Sequence, residues 1–323
     1  MTNLLLNSSV ARHHARKWEV YLSKSKRPFE RWQPHDQSTW AFQVYKKYNR
    51  ELYRLIEAHR ASSFYTYRQL KQNGATLTDP IGQAFAGCPT GIDNFEDVKD
   101  WSNGFNSFDN WVNLSNVTTI SSNLETYLAS VVGIAILSDP SVLISAPSRA
   151  IDGAYVLKQG TGPRTNTTEH VIACTKGDWS SRLAAIERLF GPIPETMREK
   201  HGDLEEIRNV RNRFGHAFGR DIDASREHGQ IEIAPMEKVT RTTVARLGTA
   251  AWRFAQETDR FLLHNHIGDF EAVNYYAKLY PTLLSTVPPG QRAVDFKKAI
   301  GRFGGGLRGK IYCKGLVAYW EAL

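Results

Sequence analysis

The sequence predicts an all-α protein on two observations. Apolar residues recur at i, i+3, i+4 spacing over several long stretches. Only one short stretch alternates in the way a half-buried strand does.

The first periodic segment is residues 40–60. Trp40, Val44, Tyr45, Tyr48, Leu52 and Leu55/Ile56 form one stripe, and Lys46, Lys47, Arg50 and Arg54 lie opposite. This is a basic amphipathic helix interleaved with tyrosines. Such a face suits RNA, through phosphate contacts and stacking, and tyrosines at this spacing equally suit a core. Residues 72–112 change character, because Gly, Asn, Asp and Pro cluster there. They read as loop and as a domain boundary.

A helix is expected next over residues 121–137, with Leu124, Tyr127, Leu128, Val131 and Ile134/Ala135 on one face. Ser121 or Ser122 serves as its N-cap and Glu125 lies in its first turn. Residues 138–180 are mixed, with a Gly/Thr/Asn-rich loop at 160–168. Residues 181–190 form a short helix closed by Gly191-Pro192. Residues 203–218 form another. The alternating stretch, residues 230–234, suggests a short strand or extended segment, and Pro235 then precedes a long helix over 238–263. Beyond His266, residues 270–284, 293–303 and 311–323 read as helices, with a turn at Pro288-Pro289-Gly290 and a glycine-rich joint before the last.

A chain of 323 residues suits one large domain or two to three modest ones. The longest apolar run, residues 131–137, falls short of a membrane span. The first residues place leucines before the basic residues, the reverse of a secretory leader. A cytoplasmic location and no membrane partner are therefore expected. Cys88, Cys174 and Cys313 are scattered and form no CxxC pair, which argues against a disulfide framework or a zinc knuckle.

The net charge of +8 is uneven. Residues 1–70 carry thirteen Lys/Arg against five Asp/Glu, so the remainder nets to zero. A basic N-terminal part favours an anionic partner such as nucleic acid, or is simply a solvated surface. Residues 304–310 (GGGLRGK) resemble the start of a phosphate-binding loop. Ile311 stands where Ser or Thr should hold magnesium, and a helix rather than a strand precedes the loop. The pairs His13-His14 and His264/His266 lack further ligands at metal spacing.

Residues 204–218, LEEIRNVRNRFGHAF, carry the chemistry. Leu204, Ile207, Phe214 and Phe218 form an apolar stripe that Arg211 interrupts, and a charge there needs a partner or a role. Arg208, Asn212 and His216 line up at i, i+4, i+8. Gly215 and Gly219 are expected to loosen the helix end and let the imidazole swing toward Arg211. Arginine clamps phosphate oxygens with its planar fork, histidine moves protons near neutral pH, and asparagine orients either by hydrogen bonding.

Arg211-Asn212-Arg213-Phe214-Gly215-His216 resembles the signature of the HEPN family: Arg, a polar residue, three variable positions, then His. The resemblance covers about residues 110–265. It implies an HEPN-like helical bundle with N-terminal and C-terminal helical extensions, divided as 1–100, 110–265 and 266–323. It further implies a metal-independent endoribonuclease, without cofactor or metal, in which the 2′-hydroxyl attacks the adjacent phosphate and leaves a cyclic phosphate. The family acts as homodimers that place two motifs in one cleft. Many members are toxins or anti-phage effectors that cut tRNA or other RNA, some with an antitoxin partner. On this resemblance Arg211, Asn212 and His216 are the catalytic set, Arg208 supports substrate, and Glu125 matches the acidic residue of an earlier helix that would position Arg211. A non-catalytic HEPN-like module that dimerises and binds RNA or protein is the alternative.

Overall fold

A computed structural model describes residues 27–88, 91–160, 167–221, 223–227, 229, 231–281, 287–303 and 308–323. Among them the protein is all-α. The elements are α1 (Trp40–Gln72), α2 (Ile81–Ala84), α3 (Val98–Ser138), α4 (Gly153–Gln159), α5 (Thr167–Thr175) and α6 (Trp179–Phe190). They continue as α7 (Glu195–Arg198), α8 (His201–Ala217), α9 (Arg241–Leu262), α10 (Phe270–Leu279), α11 (Pro289–Phe303) and α12 (Lys310–Ala322). No strand forms among the described residues. The sole β feature there is an isolated bridge between Pro80 and Asp97.

The spine is α3, 41 residues and roughly 60 Å long at 1.5 Å per residue. It starts at Asp97, whose carboxylate accepts the Asp100 amide at 2.8 Å. Ser121 is therefore buried in mid-helix and is not an N-cap. The expected loop over residues 98–112 is helix because Trp101, Phe105, Phe108 and Trp111 recur at helical spacing and stack edge to edge along it. That packing outweighs the low helix propensity of the intervening Asn, Ser, Gly and Asp.

Helices α1, α5, α8 and α9 pack around α3. Leu114, Val117, Leu124, Leu128, Val131 and Ala135 of α3 are wholly or almost wholly buried among them. By length and hydropathy α3 passes the test for a bilayer span, contrary to the sequence expectation, although half of that window is buried inside the protein. One contiguous core draws on residues from Phe42 to Trp320. It crosses the divisions near residues 100–110 and 265 that the composition suggests. A satellite core of Leu70, Ile81, Val98 and Trp101 closes the far end of α1 against the start of α3.

The segment before α1 is clasped to the core by Arg31. Its buried guanidinium bonds Asp152 Oδ1 at 2.9 Å, the Ile267 carbonyl at 2.8 Å and Ser138 Oγ at 2.8 Å. Gly268 permits this approach, since its φ is +56° and a Cβ there would stand 2.5 Å from the Arg31 carbonyl oxygen. Just before it, α9 runs into a π-helical turn, Leu263–Ile267.

Residues 231–234 are not a strand. Ile231 and Ile233 project into solvent, 100% and 80% exposed, with no strand beside them. The chain that follows is fixed by side chains instead. Asn110 donates to the Glu237 carbonyl at 2.8 Å and accepts from the Val239 amide at 2.9 Å, while Asn113 donates to the Val239 carbonyl at 3.0 Å. Residues 1–26, with His13-His14, lie outside the described residues, as do 161–166 and 304–307.

Candidate nucleic-acid interface

Helix α8 presents the motif. Leu204, Ile207 and Val210 are buried and fix its rotation, and α3, α9 and α6 are the helices it packs against. Arg211, Asn212 and Phe214 fall at the edge of the buried face and are half-buried, whereas Gly215 and His216 are exposed.

The three arginines of α8 meet different fates. Arg208 donates to Glu205 one turn back, with an Nε–Oε1 distance of 2.8 Å. The other oxygen of Glu205 accepts the Trp179 amide at 3.0 Å, so this pair joins α8 to the start of α6. Arg213 makes a two-pronged bond with Glu237 at 2.8 and 2.7 Å, which ties α8 to the returning chain. Arg211 contacts no carboxylate among the described residues. Its Nη1 donates to Asn212 Oδ1 at 3.0 Å.

Asn212 and His216 share a face at i, i+4 spacing, and His216 makes no hydrogen bond among the described residues. Arg211 and His216 are five residues apart, which turns them about 140° from each other around the axis. Within one chain no bond joins them. The expected loosening of the helix end is absent. Phe218 adopts the left-handed conformation (φ 54°) and Gly219 follows at +73°. The Gly219 amide reaches back to the Arg213 carbonyl at 3.2 Å, and the Phe218 amide to that of Phe214 at 3.1 Å. This closure satisfies the last carbonyls and fixes the end of the helix. The returning chain adds a bond from the Glu237 amide to the Gly219 carbonyl at 2.6 Å.

Glu125 stands elsewhere than its expected role. Its carboxylate accepts from Arg182 Nη2 at 3.2 Å and Lys176 Nζ at 3.1 Å, not from Arg211. Arg182 is buried, lies over the Trp179 ring at 4.7 Å and donates through Nε to the Gly177 carbonyl. Burial draws the Arg182 guanidinium down, and Glu125 opposes this by holding it charged. The pair fastens α3 to α6.

Sequence reasoning missed an aromatic ladder that leads to α8. Phe105, Phe108 and Trp111 of α3 follow one another at ring-centre distances of 6.1 and 6.0 Å. Phe214 and then Phe218 continue the series at 6.1 and 6.5 Å. Phe108, Trp111 and Phe218 are 47%, 39% and 64% exposed, so the ladder surfaces beside the motif. Its signal was the i, i+3 recurrence of rings inside a stretch otherwise rich in loop formers.

A second titratable cluster imitates a Ser-His-Asp arrangement. His266 Nδ1 lies 2.9 Å from Asp139 Oδ2, and Ser148 Oγ lies 3.4 Å from the same nitrogen. The other nitrogen, Nε2, faces the Phe190 carbonyl at 3.1 Å. A general base needs one nitrogen free to take the hydroxyl proton while the other faces the carboxylate. Here Ser148 and Asp139 share a nitrogen, and Ser148 donates to Asp139 Oδ2 at 3.1 Å. The cluster locks the π-helical turn to the end of α3. Among the described residues no three His, Cys, Asp or Glu side chains group in a way that could hold a metal ion.

No family model, curated protein or solved structure matches this chain.

Proposed function

We propose that the protein is a metal-independent endoribonuclease of HEPN type, acting at Arg211, Asn212 and His216. The observation that carries the reading is the contrast among the arginines of α8. Glu205 and Glu237 neutralise Arg208 and Arg213, while Arg211 keeps an uncompensated guanidinium braced by Asn212 beside the exposed His216. A half-buried cation without a carboxylate suits an anionic ligand. Arg208 takes a joint between helices as its role and leaves the supporting set.

In this reading Arg211 clamps the scissile phosphate, Asn212 orients the Arg211 fork, and His216 moves the proton at the 2′-hydroxyl or the leaving oxygen. The angular separation of Arg211 and His216 favours a homodimer, in which each cleft takes Arg211 from one subunit and His216 from the other. The exposed rings of Phe108, Trp111 and Phe218 offer stacking for unpaired bases flanking the cut. A toxin or anti-phage role, with tRNA among the substrates and an antitoxin partner, follows from the family resemblance, as does a cytoplasmic location.

The test is incubation of the full chain with total tRNA in EDTA, beside His216→Ala. New ends carrying a 2′,3′-cyclic phosphate with the wild type alone support the reading. Equal cleavage by both proteins, or none by either, rejects it. Salt-sensitive RNA binding without cleavage would instead identify a non-catalytic binding module.

A further inference from the structure

Away from α8, helices α1, α3 and α10 enclose a cavity of about 460 Å³. Its aromatic walls include Trp40, Tyr48 and Tyr275, and Asn123 and Asn274 supply carboxamides. Trp40 and Tyr275 meet edge to face with ring centres 5.9 Å apart. Glu271 also lines the cavity, but both of its oxygens accept the Trp40 amide, at 3.0 and 2.9 Å. That carboxyl is spent on holding the first residue of α1 in place.

Tyr45 is the telling residue. It lines the cavity, is 1% exposed, and its hydroxyl has no hydrogen-bond partner. Burial pushes the phenol up, so it keeps its proton and remains a donor lacking an acceptor. Buried polar groups are nearly always paired, and an orphan facing a cavity points to a ligand. The carboxamides of Asn123 and Asn274 likewise make no hydrogen bond among the described residues, and each offers both a donor and an acceptor.

We infer that this cavity binds an uncharged planar nitrogen heterocycle of nucleobase or nucleoside size, stacked on its aromatic walls and read by Tyr45, Asn123 and Asn274. The size falls within the range of small-molecule pockets, whose pattern is an apolar lining with a few convergent polar groups. The charge pattern selects against anions: Lys278 is the cation on the lining, and it is exposed. The site is independent of the ribonuclease reading, since Arg211 and His216 take no part in it.

The experiment is isothermal titration of the full chain with adenosine, guanosine, cytidine and uridine separately, to about millimolar concentration, alongside thermal unfolding. Tyr45→Phe removes only the orphan oxygen, and Asn274→Ala removes one half-exposed amide, so both variants should fold as the parent does. We expect saturable binding of at least one nucleoside, weakened roughly tenfold or more in each variant. Absence of heat and of thermal shift with all four probes overturns the inference. So does binding that both variants retain undiminished.

Discussion

Arg211 donates to Oδ1 of its neighbour Asn212 across 3.0 Å, so the one α8 arginine without a carboxylate is braced by a neutral group. A neutral brace holds the fork in place without cancelling its charge. The arrangement predicts a sharp split between adjacent arginines. Arg211→Ala should lower the rate of RNA cleavage by about 10²-fold or more, the scale for losing one donor to a developing charge. Arg211→Lys should restore little, because an ammonium lacks the planar fork. Arg213→Ala should cost stability through the loss of Glu237 and leave the rate per folded molecule near that of the parent. Cleavage assays on the three variants, normalised to the folded fraction, decide it. Equal losses at Arg211 and Arg213 would count against the assigned roles.

Glu125 gives a second separation of structure from chemistry. Its partner Arg182 is 4% exposed and Glu125 itself 14%, so removing the carboxylate leaves a buried guanidinium without its charge partner. Glu125→Ala should destabilise the fold by about 3 kcal/mol, the lower end of the cost of breaking a buried pair. Denaturant titration measures that loss. If Glu125 positioned Arg211, as the family pattern implies, the variant would also slow cleavage by the remaining folded protein. The geometry predicts no such slowing.

The helical class and the motif were legible because both rest on local periodicity. Residues 40–60, 203–218 and 238–263 announce themselves by apolar spacing, and α1, α8 and α9 cover them closely. The first half of α3 was hidden because its helix is sustained by rings that touch one another and Phe214, and loop-forming residues separate those rings. The pairing of Glu125 was hidden for another reason. Its partner Arg182 is 57 residues away, and sequence alone does not say which of several arginines faces a given acid. Residues 230–234 misled because alternation reports two faces, whereas a strand also needs a neighbour. The Tyr45 cavity left no signal, since three separate helices build it.

Three buried acids should make the protein most stable in mild acid. Burial pushes Glu271 up to about 8, and Asp259 and Asp269 up to about 6. Unfolded carboxyls ionise near 4. Below that, both states hold these protons and the contribution is fully present. As pH rises from about 4 to about 8 the unfolded chain releases them first, so stability falls, and the loss levels off above about 8. Tm should therefore be several degrees lower at about pH 8.5 than at about pH 5.5. Glu271→Gln keeps an acceptor for the Trp40 amide and carries no proton to lose, so it should flatten the curve above about pH 6. A Tm that rises steadily with pH over this range would contradict the burial of these acids.

Two glycines four residues apart at the end of α8 should respond oppositely to alanine. Gly215 is exposed within the helix, and a Cβ there meets nothing within 4 Å. Gly215→Ala should therefore stabilise by up to about 1 kcal/mol, the gap in helix propensity between the two residues. Gly219 has φ +73°, and a Cβ would stand 2.7 Å from Leu114 Cδ1. Gly219→Ala should cost about 1–3 kcal/mol through backbone strain, with the Leu114 contact adding to it. The consequence reaches beyond stability, because Gly219 closes the helix through the Arg213 carbonyl and anchors the Glu237 amide. Unseating it shifts the turn that carries His216, so cleavage should fall in Gly219→Ala and persist in Gly215→Ala. Thermal unfolding and tRNA cleavage on the two variants test both halves. Loss of activity in Gly215→Ala with Tm raised would mean that the helix end must bend for His216 to work, which the closed geometry argues against.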